Sequence, residues 1–140
     1  MSPIANMLVQ IKNAQSAHKP DFVVQFSQMK KAIADVLLGE GFLTSVEKKM
    51  RKTKKAELPV LHVGLKYGSR NEAGTEISEG VIRGIKLVSK PSRRMYASAK
   101  DIKPVMGGFG MAVLSTSRGV MSGKEARKQN IGGELLFEIW

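Results

Sequence analysis

Apolar residues recur at helical spacing over Pro3–Ser16, where Ile4, Met7, Leu8 and Ile11 form one stripe, Ser2 can cap the N-terminus and Pro3 takes the first helical position. The pattern then switches to alternation, and Phe22, Val24 and Phe26 mark a short strand over Asp21–Phe26. A second helix is predicted over Ser27–Leu38, burying Met29, Ile33, Val36 and Leu37 and stopped by Gly39 and Gly41. Phe42–Glu47 and Leu58–Lys66 read as a hairpin with Leu61, Val63 and Leu65 facing one way, and Lys48–Lys55 as the connection projecting from the core. Tyr67–Gly80 is almost devoid of apolar residues and holds three glycines, which predicts an interdomain linker or long surface loop. Beyond it the pattern predicts strands over Val81–Ser89, Arg94–Ala97, Gly110–Ser115 and Glu134–Trp140, with short helices over Ala99–Met106 and Gly123–Gln129. In the last strand Leu135, Phe137 and Ile139 alternate with Leu136, Glu138 and Trp140; both faces are largely apolar, so a central strand is expected. The expected class is α+β: an α/β domain over 1–68, a linker over 69–80, and a mainly antiparallel, β-rich domain with short helices over 81–140.

Charge changes this picture. The 140 residues carry 23 Lys and Arg against 12 Asp and Glu, a net charge of +11. Residues 1–70 hold 12 basic and 5 acidic side chains (+7) and residues 71–140 hold 11 and 7 (+4), so no neutral domain carries a charged tail. Six cations fall within the eight residues Lys48–Lys55, and a second group comprises Arg83, Lys86, Lys90, Arg93, Arg94, Lys100 and Lys103. A polyanion is the expected partner, nucleic acid before an acidic membrane or protein. With no apolar run near the roughly 20 residues of a membrane span and no secretory leader pattern, a soluble cytoplasmic chain without a membrane partner is expected.

Reactive chemistry is poorly provided for. The absence of Cys removes disulfides, thiolate metal sites and a thiol nucleophile. His18 and His62 stand 62 − 18 = 44 positions apart with no ligand cluster beside either. Gly119–Lys124 has three residues between glycines where a P-loop needs four, and Glu125 replaces the magnesium-binding hydroxyl. Gly107-Gly108-Phe109-Gly110 leads into a strand rather than a helix, so a tight turn is expected there and not a dinucleotide site. Ser115-Thr116-Ser117 lacks a base to activate a hydroxyl. No enzyme activity, cofactor or metal is expected. The three hydroxyls, followed by Arg118-Gly119, can instead offer donors and acceptors to a splayed-out base, and Tyr96 beside Arg93 and Arg94 adds a flat ring and guanidinium groups. Local composition alone fits equally well a turn made by the hydroxyls and a Tyr96 buried in the core.

Longer motifs resolve the choice by resemblance. Ser115-Thr116-Ser117-Arg118-Gly119-Val120-Met121-Ser122, Glu125-Ala126-Arg127 and Gly132-Gly133-Glu134, with Pro3-Ile4-Ala5, Met7-Leu8, Asn13-Ala14, Gly39-Glu40-Gly41-Phe42, Val88-Ser89-Lys90-Pro91 and Arg94-Met95-Tyr96, resemble the universal small ribosomal subunit protein eight family in its bacterial form. The likeness spans essentially the whole chain. It implies two small packed domains and a primary RNA-binding protein of the small ribosomal subunit that binds the central domain of its ribosomal RNA during assembly. It also implies contacts with neighbouring ribosomal proteins, and in bacteria such proteins can repress their own operon by binding a similar messenger fold. Carried onto this chain, Ser115, Thr116, Ser117 and Gly119 are implied to meet base edges and the sugar-phosphate chain, Arg94 and Tyr96 to flank them, Gly132, Gly133 and Glu134 to shape the site, and Lys30 and Lys31 to meet phosphates.

Departures from the family pattern are local. Asn6 replaces a usual Asp. Ser122-Gly123-Lys124 replaces a common Thr-Asp-Arg, which predicts a late or frayed start for the short helix. Lys48–Lys55 and Tyr67–Gly80 look longer than is usual and are expected to be surface loops. A general nucleic-acid-compacting protein is the main rival reading; it explains the charge and both basic clusters but not the Ser-Thr-Ser run. A peripheral membrane protein fits less well, because the Pro3–Ser16 helix has a single Lys.

Overall fold

The computed structural model describes residues 2–68 and 80–140. Residues 3–81 and 82–140 form two compact units. The expected linker, 69–80, lies outside the described residues apart from Gly80, which bridges to Tyr67 in an antiparallel pair.

In the first unit, helix α1 (Pro3–Ser16) buries Met7, Leu8, Ile11 and Ala14. Strand β1 (Asp21–Gln25) leads to α2 (Gln28–Gly39), where the Ser27 hydroxyl accepts from the Lys30 amide at 3.1 Å. Gly41, at φ 85°, ends α2: its amide donates to the Leu38 carbonyl and that of Phe42 to the Leu37 carbonyl, the paired bonds of a Schellman cap. Ile33, Ala34 and Leu37 are buried as the helical period requires, but Met29 is 39% exposed and not in the core, because it lies in the first turn where the helix meets solvent.

Strands β2 (Leu43–Lys52) and β3 (Glu57–Leu65) complete an antiparallel sheet in the order β1-β3-β2. The basic segment is therefore not the connection expected for it. Lys48 to Lys52 pair residue by residue with Leu61 to Glu57, and only Thr53–Ala56 turns. An edge strand needs only backbone pairing on one side, so charged side chains cost it little. Val24, Leu61 and Val63 lie buried on one face with α1 and α2 packed against the sheet, while Val23 and Leu58, on the other face, are 42% and 48% exposed.

The second unit is a five-stranded antiparallel sheet. β4 (Ile85–Leu87), β8 (Gly133–Ile139), β6 (Met111–Thr116) and β7 (Gly119–Ser122) run in the order β4-β8-β6-β7, and β5 (Tyr96–Ala97) pairs with the other end of β8. β8 is central, as its two apolar faces imply. β4 is much shorter than the expected 81–89, and β7 was hidden in the sequence by its glycine and serine. Pro104 and an extended Ile102 (φ −75°, ψ 112°) break the expected 99–106 helix into two 3-10 turns, Ala99–Asp101 and Met106–Gly108. Helix α3 (Gly123–Lys128) starts where expected from the pattern and is not delayed, since the Ser122 hydroxyl accepts from the Glu125 amide at 3.2 Å and serves as the cap. Ala126 joins Ile102, Val105, Ala112, Leu114 and Met121 in one buried cluster.

The pairing of β6 with β8 is not uniform. Val113 faces Phe137, yet the next residue, Leu114, faces Leu135; Leu136 is the extra residue of a β-bulge. Leu135 thus shares a face with Leu114 and packs on the buried cluster, instead of siding with Phe137 and Ile139 as strict alternation predicts. Close approach is permitted by glycine: a Cβ at position 133 would meet the Ser115 carbonyl oxygen, and one at 132 would lie 2.5 Å from the Ala97 carbonyl oxygen. Both obstacles are backbone and cannot rotate away. Gly133→Ala is expected to cost about 1–3 kcal/mol, as overpacking does. A urea titration checks this, together with amide shifts at Ser115 and Glu134 larger than those in β1.

Candidate nucleic-acid interface

The bulge at Leu136 brings Glu134 opposite Ser115; uninterrupted pairing would place it opposite Thr116, on the other face. Tyr96 faces Glu134 from β5, and Val120 faces Ser115 from β7. Directly opposed residues share a sheet face, so Tyr96, Glu134, Ser115 and Val120 form one row across four strands. Two strand spacings, about 10 Å, separate Tyr96 from Ser115. Tyr96 is 72% exposed and is not a core residue. The Glu134 carboxylate is fixed from two sides: the Ser89 hydroxyl donates to it at 2.7 Å, and Arg94 Nη1 lies 3.4 Å away. Ser89 also accepts from the Met95 amide at 3.2 Å, tying the loop that carries Arg94 to β8. Lys90 and Arg93 exchange both backbone bonds at 3.0 Å, so this loop is a tight turn.

At the end of the row stands the β6–β7 hairpin. The Thr116 hydroxyl donates to the Gly119 carbonyl at 2.7 Å and accepts from the Arg118 amide at 3.1 Å. Gly119 has φ 107°, the left-handed position that follows a type I turn at such a tip. Nothing crowds a Cβ there, so the requirement for glycine is conformational and not steric. The turn expected as the bland alternative thus exists, but it occupies only Thr116. Ser117 is exposed and Ser115 half-buried, and neither hydroxyl has a partner among the described residues. Arg118, exposed at the tip, is held at 3.4 Å by Gln129 Oε1, and Gln129 in turn donates to Glu125 at 2.8 Å.

The structure therefore gathers Ser115, Thr116, Ser117, Gly119, Tyr96, Arg94, Gly132, Gly133 and Glu134 around one end of one sheet. Lys30 and Lys31 belong to the first unit, in the first turn of α2; Lys30 Nζ donates to the Gln25 carbonyl at 3.1 Å and Lys31 Nζ to Asp35 at 2.7 Å. Each ammonium retains donors for a further anion. Sequence reasoning gave Ser89 no role beyond closing the expected strand Val81–Ser89, because its partner Glu134 lies in a distant element; its burial to 6% is visible only once the loop is folded back. Among the described residues no group of three or more metal-ligating side chains occurs, and no helix is long and apolar enough to cross a membrane.

Residues 2–140 match the protein-family profile described as Ribosomal protein S8. The small ribosomal subunit protein uS8 of Rhodopirellula baltica is 42% identical over 137 residues, covering 98% of this chain and 96% of the relative. That of an Exiguobacterium species is 43% identical over 138 residues, covering 99% and 96%. The protein of the same name in Caldicellulosiruptor bescii is 40% identical over 140 residues, covering 100% and 98%. With matches of this extent, the chain belongs to the ribosomal protein S8 family.

Proposed function

We propose that this chain is a structural, non-enzymatic constituent of the small ribosomal subunit that binds the central domain of its ribosomal RNA. Its partners are that RNA and neighbouring ribosomal proteins. The observation that carries the reading is the row Tyr96–Glu134–Ser115 beside the Ser117 tip. An exposed ring, two uncommitted hydroxyls and a guanidinium on one rigid sheet end suit a base that has left regular pairing. Tyr96 offers a stacking face, Ser115 and Ser117 offer hydrogen bonds to base edges or sugar, and Arg94 offers charge to phosphate. Glu134 acts through its neighbours: bonded to Ser89 and Arg94, it holds the guanidinium in place and has its own charge balanced. Gly132 and Gly133 shape the site by letting the three strands close. Lys30 and Lys31 add phosphate contacts from the first unit.

The same chemistry extends to a messenger. An internal loop in the chain's own operon transcript that presents the same unpaired bases would compete for the same hydroxyls, which is the basis for repression of its own synthesis.

Specificity and affinity separate in this account. Ser117→Ala is expected to weaken binding to a stem with the internal loop by about 1–3 kcal/mol, the cost of an unpaired buried polar edge, and to leave a regular duplex unaffected. Lys31→Ala is expected to weaken both RNAs alike and flatten the salt slope by about one unit. Fluorescence titrations of both variants against both RNAs over a salt series check this, and an equal loss for the two RNAs in Ser117→Ala contradicts the role of the tip. Tyr96→Ala is expected to lose about 1–3 kcal/mol of stacking with no change in the urea midpoint, since the ring supports no core; a shifted midpoint opposes the assignment.

A further inference from the structure

The cations of the β2–β3 hairpin are not used by the site on the second unit. We propose that this hairpin is a two-faced cationic ribbon that docks on an RNA duplex through its phosphates, separately from the Ser115–Ser117 tip. The inference rests on the reading of the chain as an RNA-binding protein but not on the recognition loop.

Three observations support it. First, the charges are carried on ordered backbone. Lys48 to Lys52 are paired with β3, and the turn is closed by the Thr53 amide and hydroxyl, which donate to the Ala56 carbonyl at 2.9 and 2.7 Å, while the Ala56 amide donates back to the Thr53 hydroxyl at 3.1 Å. Cations on a built ribbon lose less conformational freedom on docking than those on a loose loop. Second, strand alternation divides them. Lys49 and Arg51 share the face of Val60 and Leu58, the face not packed by the helices, whereas Lys48 and Lys52 take the other and Lys54 and Lys55 occupy the turn. Lys49 and Arg51 are about 7 Å apart, comparable with the step between neighbouring phosphates of a strand, whereas Lys48 and Lys52, with Met50 between them, are about 13 Å apart. Cations on both faces suit phosphates on two strands. Third, their present partners are weak. Lys49 Nζ is 3.3 Å from Glu47 with both side chains more than half exposed, a pairing that a phosphate can displace, and Lys48 Nζ sits 4.3 Å above the Phe26 ring, which steadies its stem and leaves its outward donors available.

Edge strands carry lysines to block pairing with other chains, and one or two suffice for that. Six in eight residues, spread over two faces and the turn, exceed that need. An acidic protein is the rival partner, and a run of six cations in eight residues, broken only by Met50 and Thr53 and holding no acidic residue, favours the more uniformly charged polyanion.

The test uses the full chain with Lys49, Arg51, Lys54 and Lys55 all changed to Ala, beside a charge-retaining variant with Lys49, Lys54 and Lys55 changed to Arg. The probe is a regular RNA duplex without internal loops. Loss of four phosphate contacts is expected to reduce the salt slope of binding by about 3–4 units, with the urea midpoint unchanged and the charge-retaining variant behaving as wild type. A Lys54→Ala, Lys55→Ala pair, confined to the turn, is expected to reduce it by about 2 units. An unchanged slope in the quadruple variant overturns the ribbon while leaving the recognition loop standing, as does displacement of the duplex by a polyglutamate peptide at equal charge. Failure of the wild-type chain to bind any RNA overturns the functional reading itself.

Discussion

The second unit depends on how closely β8 can approach its neighbours. Any side chain at position 133 would run into the Ser115 carbonyl, and any at 132 into that of Ala97, so two glycines in sequence let a central strand accept partners on both sides at its first residues. The bulge at Leu136 then resets the register. It sends Leu135 into the cluster around Leu114 and turns Glu134 toward Ser115 and Tyr96. Packing and site come from the same irregularity, because one extra residue satisfies an apolar requirement on one face and a polar one on the other.

In the proposed site, Glu134 is a charge unfavourable to RNA that its neighbours turn to use. Alone, a carboxylate beside a phosphate chain is repulsive. Held by Ser89 and faced by Arg94, it becomes a fixed anchor for a cation, and its own accepting capacity is largely occupied. Recognition in this account is therefore assembled from pre-positioned groups: the ring of Tyr96 by strand pairing, the guanidinium by Glu134, the tip by Thr116 and Gly119. The basic hairpin of the first unit, on the proposal made for it, supplies a different quantity, electrostatic attraction without sequence preference.

Much of this was legible in the sequence. The 3.6-residue stripe of α1, the alternation in β1 and β3, and the double apolar face of β8 located the core elements, because burial imposes those periods directly. Three successive hydroxyls drew attention to Ser115–Ser117, and resemblance chose a recognition role for them over a plain turn, which no periodicity could have done. What stayed hidden depended on pairing. The strand character of Lys48–Lys52 follows from the apolar partner β3 and not from its own composition, and β7 is formed by residues whose preferences favour turns. A bulge leaves no mark on a run as apolar as Leu135-Leu136-Phe137, so the face of Glu134 could not be read. The role of Ser89 needs two elements 134 − 89 = 45 residues apart brought into contact.

On the proposed reading, the sheet end that carries Tyr96 and Ser117, and not charge alone, selects the RNA. A competition titration tests it most directly: the full chain bound to a central-domain stem of small-subunit ribosomal RNA at near-physiological salt, challenged with a length-matched regular duplex. The complex is expected to survive a large excess of duplex. Displacement at equal concentration would contradict it and leave the positive charge as the whole basis of binding.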